Sequence, residues 1–83
     1  MKQFVTYILE CADGTLYLGS TDNLERRLHE HNNLKSGAHY TKIRRPVVLR
    51  YRETFTNLKD ARTRERALKK LTRTKKIDLI HSI

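Results

Sequence analysis

Three polar side chains occupy places where a folded chain ordinarily puts apolar ones. In the stretch Asn23-Leu24-Glu25-Arg26-Arg27-Leu28-His29-Glu30-His31-Asn32, helical periodicity puts Leu24, Arg27, Leu28, His31 and Leu34 on one face. An inward stripe normally excludes charge, because an unpaired ion is costly to bury. Arg27 and His31 nevertheless take two of its places, at i and i+4. A guanidinium fixed beside an imidazole on a core-facing edge suits an anion, phosphate above all. The structural alternative is that both side chains snorkel to the helix border. The third intruder is Glu65. A later helix opening at Thr56-Asn57 has the apolar stripe Leu58, Ala61, Leu68 and Leu71, and Glu65 falls inside that arc. Its other faces carry Lys59, Arg62, Arg64, Arg66, Lys69 and Lys70. A carboxylate in such a stripe needs a partner, either an inward arginine or a divalent metal ion.

The charge is segregated along the chain. Of 18 Lys and Arg in 83 residues, fourteen fall between Lys42 and Lys76, where only Glu53, Asp60 and Glu65 oppose them. Such a surplus favours a polyanionic partner, because each phosphate contact releases counterions. Nucleic acid is the expected partner, with anionic lipid or a general surface bias as the alternatives. A single cysteine, Cys11, excludes an internal disulfide framework and a cysteine-rich zinc site. His29 and His31 at i, i+2 face different ways and lack zinc-ligand spacing. Neither a signal peptide nor an apolar run able to span a membrane is visible, so a cytoplasmic protein is expected. The length suits one small domain, residues 1–83.

The elements that must position these side chains follow in order. Residues 4–11 are β-branched and aromatic and read as a strand; Asp13-Gly14 signals a hairpin, and Leu16 to Gly19 form the return strand. Two turns are open. A two-residue turn pairs Ala12 with Thr15 and sends Tyr7 and Tyr17 to opposite sheet faces. A three-residue loop with Gly14 left-handed pairs Cys11 with Thr15 and puts both tyrosines on one face. Asp22 and Glu25 are placed as a capping box for the first helix. Residues 35–46 read as a basic loop, where Tyr40 could stack on a base while Lys42, Arg44 and Arg45 grip phosphates. Packing of Tyr40 on the core is the structural alternative. Val47 to Phe55 alternates, with Val47, Leu49, Tyr51 and Phe55 on one face. Asn57 caps the second helix, and Thr74 a last short one that buries Ile77 and Ile80. The expected fold is α+β: a small three-stranded antiparallel sheet, an N-terminal hairpin plus one strand, flanked by about three helices.

Tyr7, Tyr17-Leu18-Gly19, Arg27, His31 and a helical Glu65, in that order, resemble the GIY-YIG nuclease superfamily. Val5-Thr6-Tyr7 stands where the first tripeptide would be, and Leu18 replaces the isoleucine of the second. Gly37-Ala38-His39-Tyr40-Thr41, Arg45-Pro46 and Arg64-Glu65 further resemble the small single-domain bacterial members. The similarity runs from about Phe4 to Ile80. It implies phosphodiester hydrolysis by an endonuclease using one divalent ion, Mg²⁺ or Mn²⁺, held by Glu65. Arg27 would bind the scissile phosphate, Tyr7 would take a proton from the attacking water, and Tyr17 would orient water or phosphate. The metal, Arg27 and a hydrogen bond from a neighbour such as His31 would have to lower the pKa of Tyr7, since a free phenol near ~10 is a poor base at neutral pH. Gly19 would leave room for substrate, with His39, Tyr40, Lys42, Arg44 and Arg45 as further substrate-binding residues. No appended specificity domain is visible, so recognition of DNA structure is expected, as in repair or recombination, or a larger partner protein that supplies the target. The alternative is a nucleic-acid-binding module with little catalysis.

Overall fold

The computed structural model describes residues 2–33, 41 and 43–82. Among them the elements are β1 (Phe4–Glu10), β2 (Leu16–Thr21), α1 (Leu24–Asn33), β3 (Val48–Phe55), α2 (Leu58–Lys69) and α3 (Arg73–Ile80). The strands form one antiparallel sheet in the order β2-β1-β3, as the alternation and the hairpin signal predict. No helix among the described residues is long and apolar enough to cross a membrane.

Of the two possible hairpins, the structure has the three-residue loop. The Cys11 amide donates to the Thr15 carbonyl at 2.8 Å and the Gly14 amide to the Cys11 carbonyl at 2.9 Å. Gly14 has φ +84°, a conformation open to glycine at no steric cost. Asp13 Oδ1 accepts from the Thr15 amide and hydroxyl, which fixes the turn. The resulting register pairs Tyr7 with Gly19 and Leu9 with Tyr17. Residues directly opposite share a sheet face, so Tyr7 and Tyr17 lie on the same side.

Each sheet face has its own helix layer. Tyr7, Leu9, Cys11 and Val47 form one buried cluster, against which Leu24 and Leu28 of α1 pack. Ile8 and Leu18 form the other with Leu68 of α2, joined by Leu71, Leu79 and Ile80. The buried Thr6 hydroxyl donates to the Ala61 carbonyl at 2.6 Å, tying the middle strand to α2.

Three sequence expectations shift. The pairing of β1 with β3 slips between Ile8 and Leu9: Ile8 lies opposite Tyr51 but Leu9 opposite Leu49. Arg50 is therefore an extra residue, and a bulge reverses the alternation on either side of it. Leu49 packs with Leu9 and Val47, whereas Tyr51 packs with Ile8 on the opposite face; the four residues expected to share a face are divided. The cap of α1 is Asn23, whose Oδ1 accepts from the Arg26 amide at 3.0 Å. The Thr21 hydroxyl accepts from the Asn23 amide and turns the chain one residue later than the capping-box spacing requires. Asp22 pairs instead with Lys2 at 2.8 Å and Arg26 at 3.3 Å. The last helix is capped by Thr72 rather than Thr74, its hydroxyl accepting from the Lys75 amide at 3.2 Å.

Candidate active site

Tyr7, Tyr17 and His31 converge between the hairpin and α1. The α1 stripe turns His31 fully inward, with no exposed surface, and Tyr7 beneath it is 2 % exposed. Their polar atoms satisfy one another: Tyr7 Oη lies 3.0 Å from His31 Nε2. On its other side, His31 Nδ1 lies 2.8 Å from the hydroxyl of buried Thr41. Tyr17 meets the imidazole edge to face, with ring centroids 5.1 Å apart. His31 thus has a hydroxyl at each nitrogen. If Nδ1–H donates to Thr41, Nε2 presents its lone pair to the Tyr7 hydroxyl; the opposite tautomer reverses both bonds.

Burial sets the proton affinities. His31 is lowered to about 4, first by burial and then by the nearby Arg27 guanidinium, against the opposing pull of Glu30. It is neutral at pH 7. Tyr7 is raised to about 12, chiefly by burial and secondly by Tyr17, while Arg27 beside it pulls the other way. The lowering expected from Arg27 and His31 is therefore not present in the protein alone. Desolvation of the phenolate exceeds what one guanidinium returns. Arg27 itself bonds Glu30 Oε1 at 3.0 Å and keeps 28 % of its side chain exposed. It sits at the border of the stripe, with its charge directed toward Tyr7.

Glu65 reaches this group from the other layer. Ser20, next to Gly19 on edge strand β2, points to the α2 side and donates to Glu65 Oε1 at 2.6 Å. Oε2 pairs with Lys69 Nζ at 2.7 Å. The carboxylate is 18 % exposed, and its field reaches Tyr7. The ion-pair answer to its need for a partner is partly met: a cation is present, but it is a lysine rather than an inward arginine, comes from one turn along the same helix and is 55 % exposed. Among the described residues no group of three or more His, Cys, Asp or Glu could cage a metal ion. A lone, half-buried carboxylate still fits Mg²⁺, which keeps several waters and binds through one or two carboxylates plus substrate phosphate.

Gly19 packs directly against Tyr7. A Cβ built there would collide with the Tyr7 hydroxyl and lie 2.7 Å from its Cζ. The glycine makes room for the Tyr7 ring. Gly19→Ala should therefore displace the Tyr7–His31 pair and destabilise the fold by roughly 1–3 kcal/mol, the range for overpacking a core. Urea unfolding measures the cost, and loss of the Tyr7 hydroxyl resonance from its hydrogen-bonded position reports the displacement.

Of the substrate-binding expectations, Arg44 and Arg45 are placed in structural roles. Arg44 pairs with Asp13 at 3.0 Å. Arg45 donates to the carbonyls of His31 and Glu30, closing the last turn of α1. His39, Tyr40 and Lys42 lie outside the described residues. Sequence reasoning missed Thr41, Ser20 and Lys69 as site residues. Strand alternation after Gly19 points Ser20 toward α2, and i, i+4 spacing places Lys69 beside Glu65. Nothing local marks Thr41.

The sequence profile of the GIY-YIG catalytic domain matches residues 3–78. This chain belongs to the GIY-YIG family. A relative, a UPF0213 protein of Desulfotalea psychrophila, is 53 % identical over 74 residues, covering 89 % of this chain and 67 % of its own. A second, from Syntrophus aciditrophicus, is 50 % identical over 80 residues, 96 % of this chain and 92 % of the relative. The solution structure of a UPF0213 protein from Bacillus halodurans superposes with a TM-score of 0.61 at 37 % identity, covering 95 % of this chain and 83 % of that one. These names state no activity. The GIY-YIG domain places the chain in a nuclease superfamily, with nucleic acid as the implied substrate.

Proposed function

We propose that this GIY-YIG domain is a divalent-metal-dependent endonuclease that hydrolyses phosphodiester bonds in DNA, selecting structure rather than sequence. The observation that carries the reading is the Tyr7–His31 hydrogen bond at 3.0 Å, with Arg27 and Glu65 both acting on the same phenol. Tyr7, His31, Arg27 and Glu65 come from three elements, β1, α1 and α2, and their charges and hydrogen bonds act on one hydroxyl.

Each residue has a task the geometry suits. Arg27, at the stripe border, binds the scissile phosphate and opposes the charge that grows on its oxygens. Tyr7 accepts the proton of the attacking water as its own passes to His31 Nε2, in the tautomer whose Nδ1–H donates to Thr41. Water oxygen bonds to phosphorus as the P–O3′ bond breaks; the departing O3′ takes a proton from bulk water, and the relayed proton ends on the imidazole, from which it returns to solvent. The incoming phosphate charge favours that imidazolium and offsets the effect of burial. Tyr17 packs against the imidazole and holds its plane. Glu65, oriented by Ser20, would hold Mg²⁺ or Mn²⁺, which supplies Lewis-acid stabilisation of the phosphate and leaving oxygen. A cytoplasmic site of action and a role in DNA repair or recombination fit a backbone-directed enzyme of this kind. A larger protein supplying the target fits equally well.

One observation favours the alternative of a binding module: Lys69 already neutralises Glu65. The two readings separate on Lys69→Met. If Glu65 is the metal ligand, removing the competing ammonium strengthens Mn²⁺ binding about 2- to 5-fold, the worth of a part-exposed ion pair. Titration followed by Mn²⁺ paramagnetic resonance reads this without any substrate. No Mn²⁺ bound by either protein would leave Glu65 a structural residue. The activity is tested by nicking of supercoiled plasmid and a branched-DNA panel with Mg²⁺ or Mn²⁺. Protein that binds these DNAs and cuts none of them, with either metal, would replace the nuclease by the binding module.

A further inference from the structure

The positive charge of α2 is not evenly distributed. At about 100° per residue from Glu65, Lys69 lies about 40° away, Arg62 about 60°, Arg66 about 100° and Lys59 about 120°, all in one sense. Arg64 lies about 100° the other way. That side is spent on structure, for Arg64 Nε pairs with Glu53 of β3 at 2.9 Å. Lys59, Arg62 and Arg66 are exposed and form no ion pair among the described residues, whereas Lys2, Arg26, Arg27, Arg44, Arg50, Arg64 and Lys69 all do. The three surround a shallow concavity of about 330 Å³ floored by Leu58. Like charges gathered without counter-charge cost free energy in the protein alone, which an anionic ligand recovers.

We propose that Lys59, Arg62 and Arg66 form a phosphate-binding track for the backbone of double-stranded nucleic acid, leading away from Glu65. The proposal rests on the nuclease reading for what lies at the start of the track, and goes beyond it in naming the duplex and the residues that hold it. Direction comes from the fold: Arg64 ties one flank of α2 to β3, and Ser20 ties Glu65 to β2 at the opposite edge, so the arc opens on the side of the candidate site. Length fits too. Lys59 to Arg66 spans about 10.5 Å of helix, about three base-pair rises of ~3.4 Å along the duplex axis. The arc from Lys59 to Lys70 carries no aromatic side chain. A single strand is held by stacking its bases on such rings; a duplex presents only its backbone, which cations at this spacing can follow.

The test is the salt dependence of binding to a fluorescent DNA duplex, without metal, for the full chain and two variants of equal charge. Lys59→Gln/Arg62→Gln/Arg66→Gln should lower the slope of log K against log salt by about 2–3, at ~0.9 per lost contact. Affinity at low salt should fall at least 10-fold. Arg73→Gln/Lys75→Gln/Lys76→Gln on α3 should change the slope by less than one contact. All six positions are on helix surfaces, and thermal melting verifies that both variants fold. Equal losses in the two variants would reduce the track to general charge and overturn it. So would single-stranded DNA bound as tightly as duplex, or anionic phosphatidylglycerol vesicles bound through the same residues with the duplex indifferent. Because the readout is metal-free binding, duplex held through the track with no cleavage would remove the nuclease and leave the track. Cleavage unaffected by the track variant would do the reverse.

Discussion

Glu65→Gln should reduce metal-dependent nicking of supercoiled plasmid by at least ~10²-fold, the usual loss when a preorganised charge at a reacting phosphate is removed. Few substitutions isolate a charge so cleanly. Glutamine matches glutamate in shape, and its carbonyl oxygen can still accept the Ser20 hydroxyl that now sits 2.6 Å from Oε1. What disappears is the carboxylate needed for a hard cation and the partner of Lys69. That surface pair contributes no more than about 1 kcal/mol, so folding should survive. Duplex affinity should be unchanged or slightly higher, because the variant is more positive by one charge. Plasmid nicking and equilibrium binding on the same preparation make the comparison. Cleavage by the variant at wild-type rate would remove Glu65 from the chemistry, whatever the metal requirement of the wild type.

The second large effect is on stability. His31 takes up a proton near pH 6.5 in the unfolded chain but only near about 4 in the folded one. Between those values the unfolded chain binds more protons, so acid favours unfolding. Stability should be complete above about pH 6.5 and fall by about 3 kcal/mol as pH drops to about 4. Much of that would be gone by pH 4.5, a large fraction of what a domain this small possesses. Asp13, held low by Thr15, and Asp22, held low by Lys2, lose their contribution only below the usual carboxylate range, on the acid side of this window. Urea midpoints at pH 7 and 4.5 measure the fall, and His31→Phe should flatten it while lowering stability at pH 7. A wild-type profile already flat across this range would mean that the imidazole is hydrated and not sealed beneath Tyr7.

Much of this was readable from local pattern, because local pattern is what the intruding residues violate. Arg27, His31 and Glu65 break apolar stripes; in the fold His31 bonds the Tyr7 hydroxyl, Arg27 lies beside it, and Glu65 acts on it through its charge from the other layer. The sheet, its hairpin and the helix layers follow from alternation, turn chemistry and periodicity. What escaped depends on contacts between distant segments. Nothing near Arg50 marks a bulge, since it arises from accommodating Leu9 and Ile8 on opposite cores. The choice between two hairpin turns rested on Asp13 Oδ1 bonding Thr15 and on Gly14 turning left-handed, which the sequence leaves open. The contact of Gly19 with its neighbour across the strand pair, Tyr7, depends on the resulting register. Thr41 is ten residues from His31 and has no pattern to betray it. Arg44 and Arg45 illustrate the converse: a basic pair in a loop reads as phosphate-binding until the carboxylate and the helix end they serve are seen.

The strand order has a further consequence. Tyr17, Gly19 and Ser20 all belong to β2, which is an outer strand, and the other outer strand, β3, carries none of the site. The candidate site and the outer edge of β3 are therefore at opposite margins of the sheet. In the proposed function a bulky polymer comes up broadside to the β2 margin, and an added strand at the β3 margin would leave Tyr17, Gly19 and Ser20 in place.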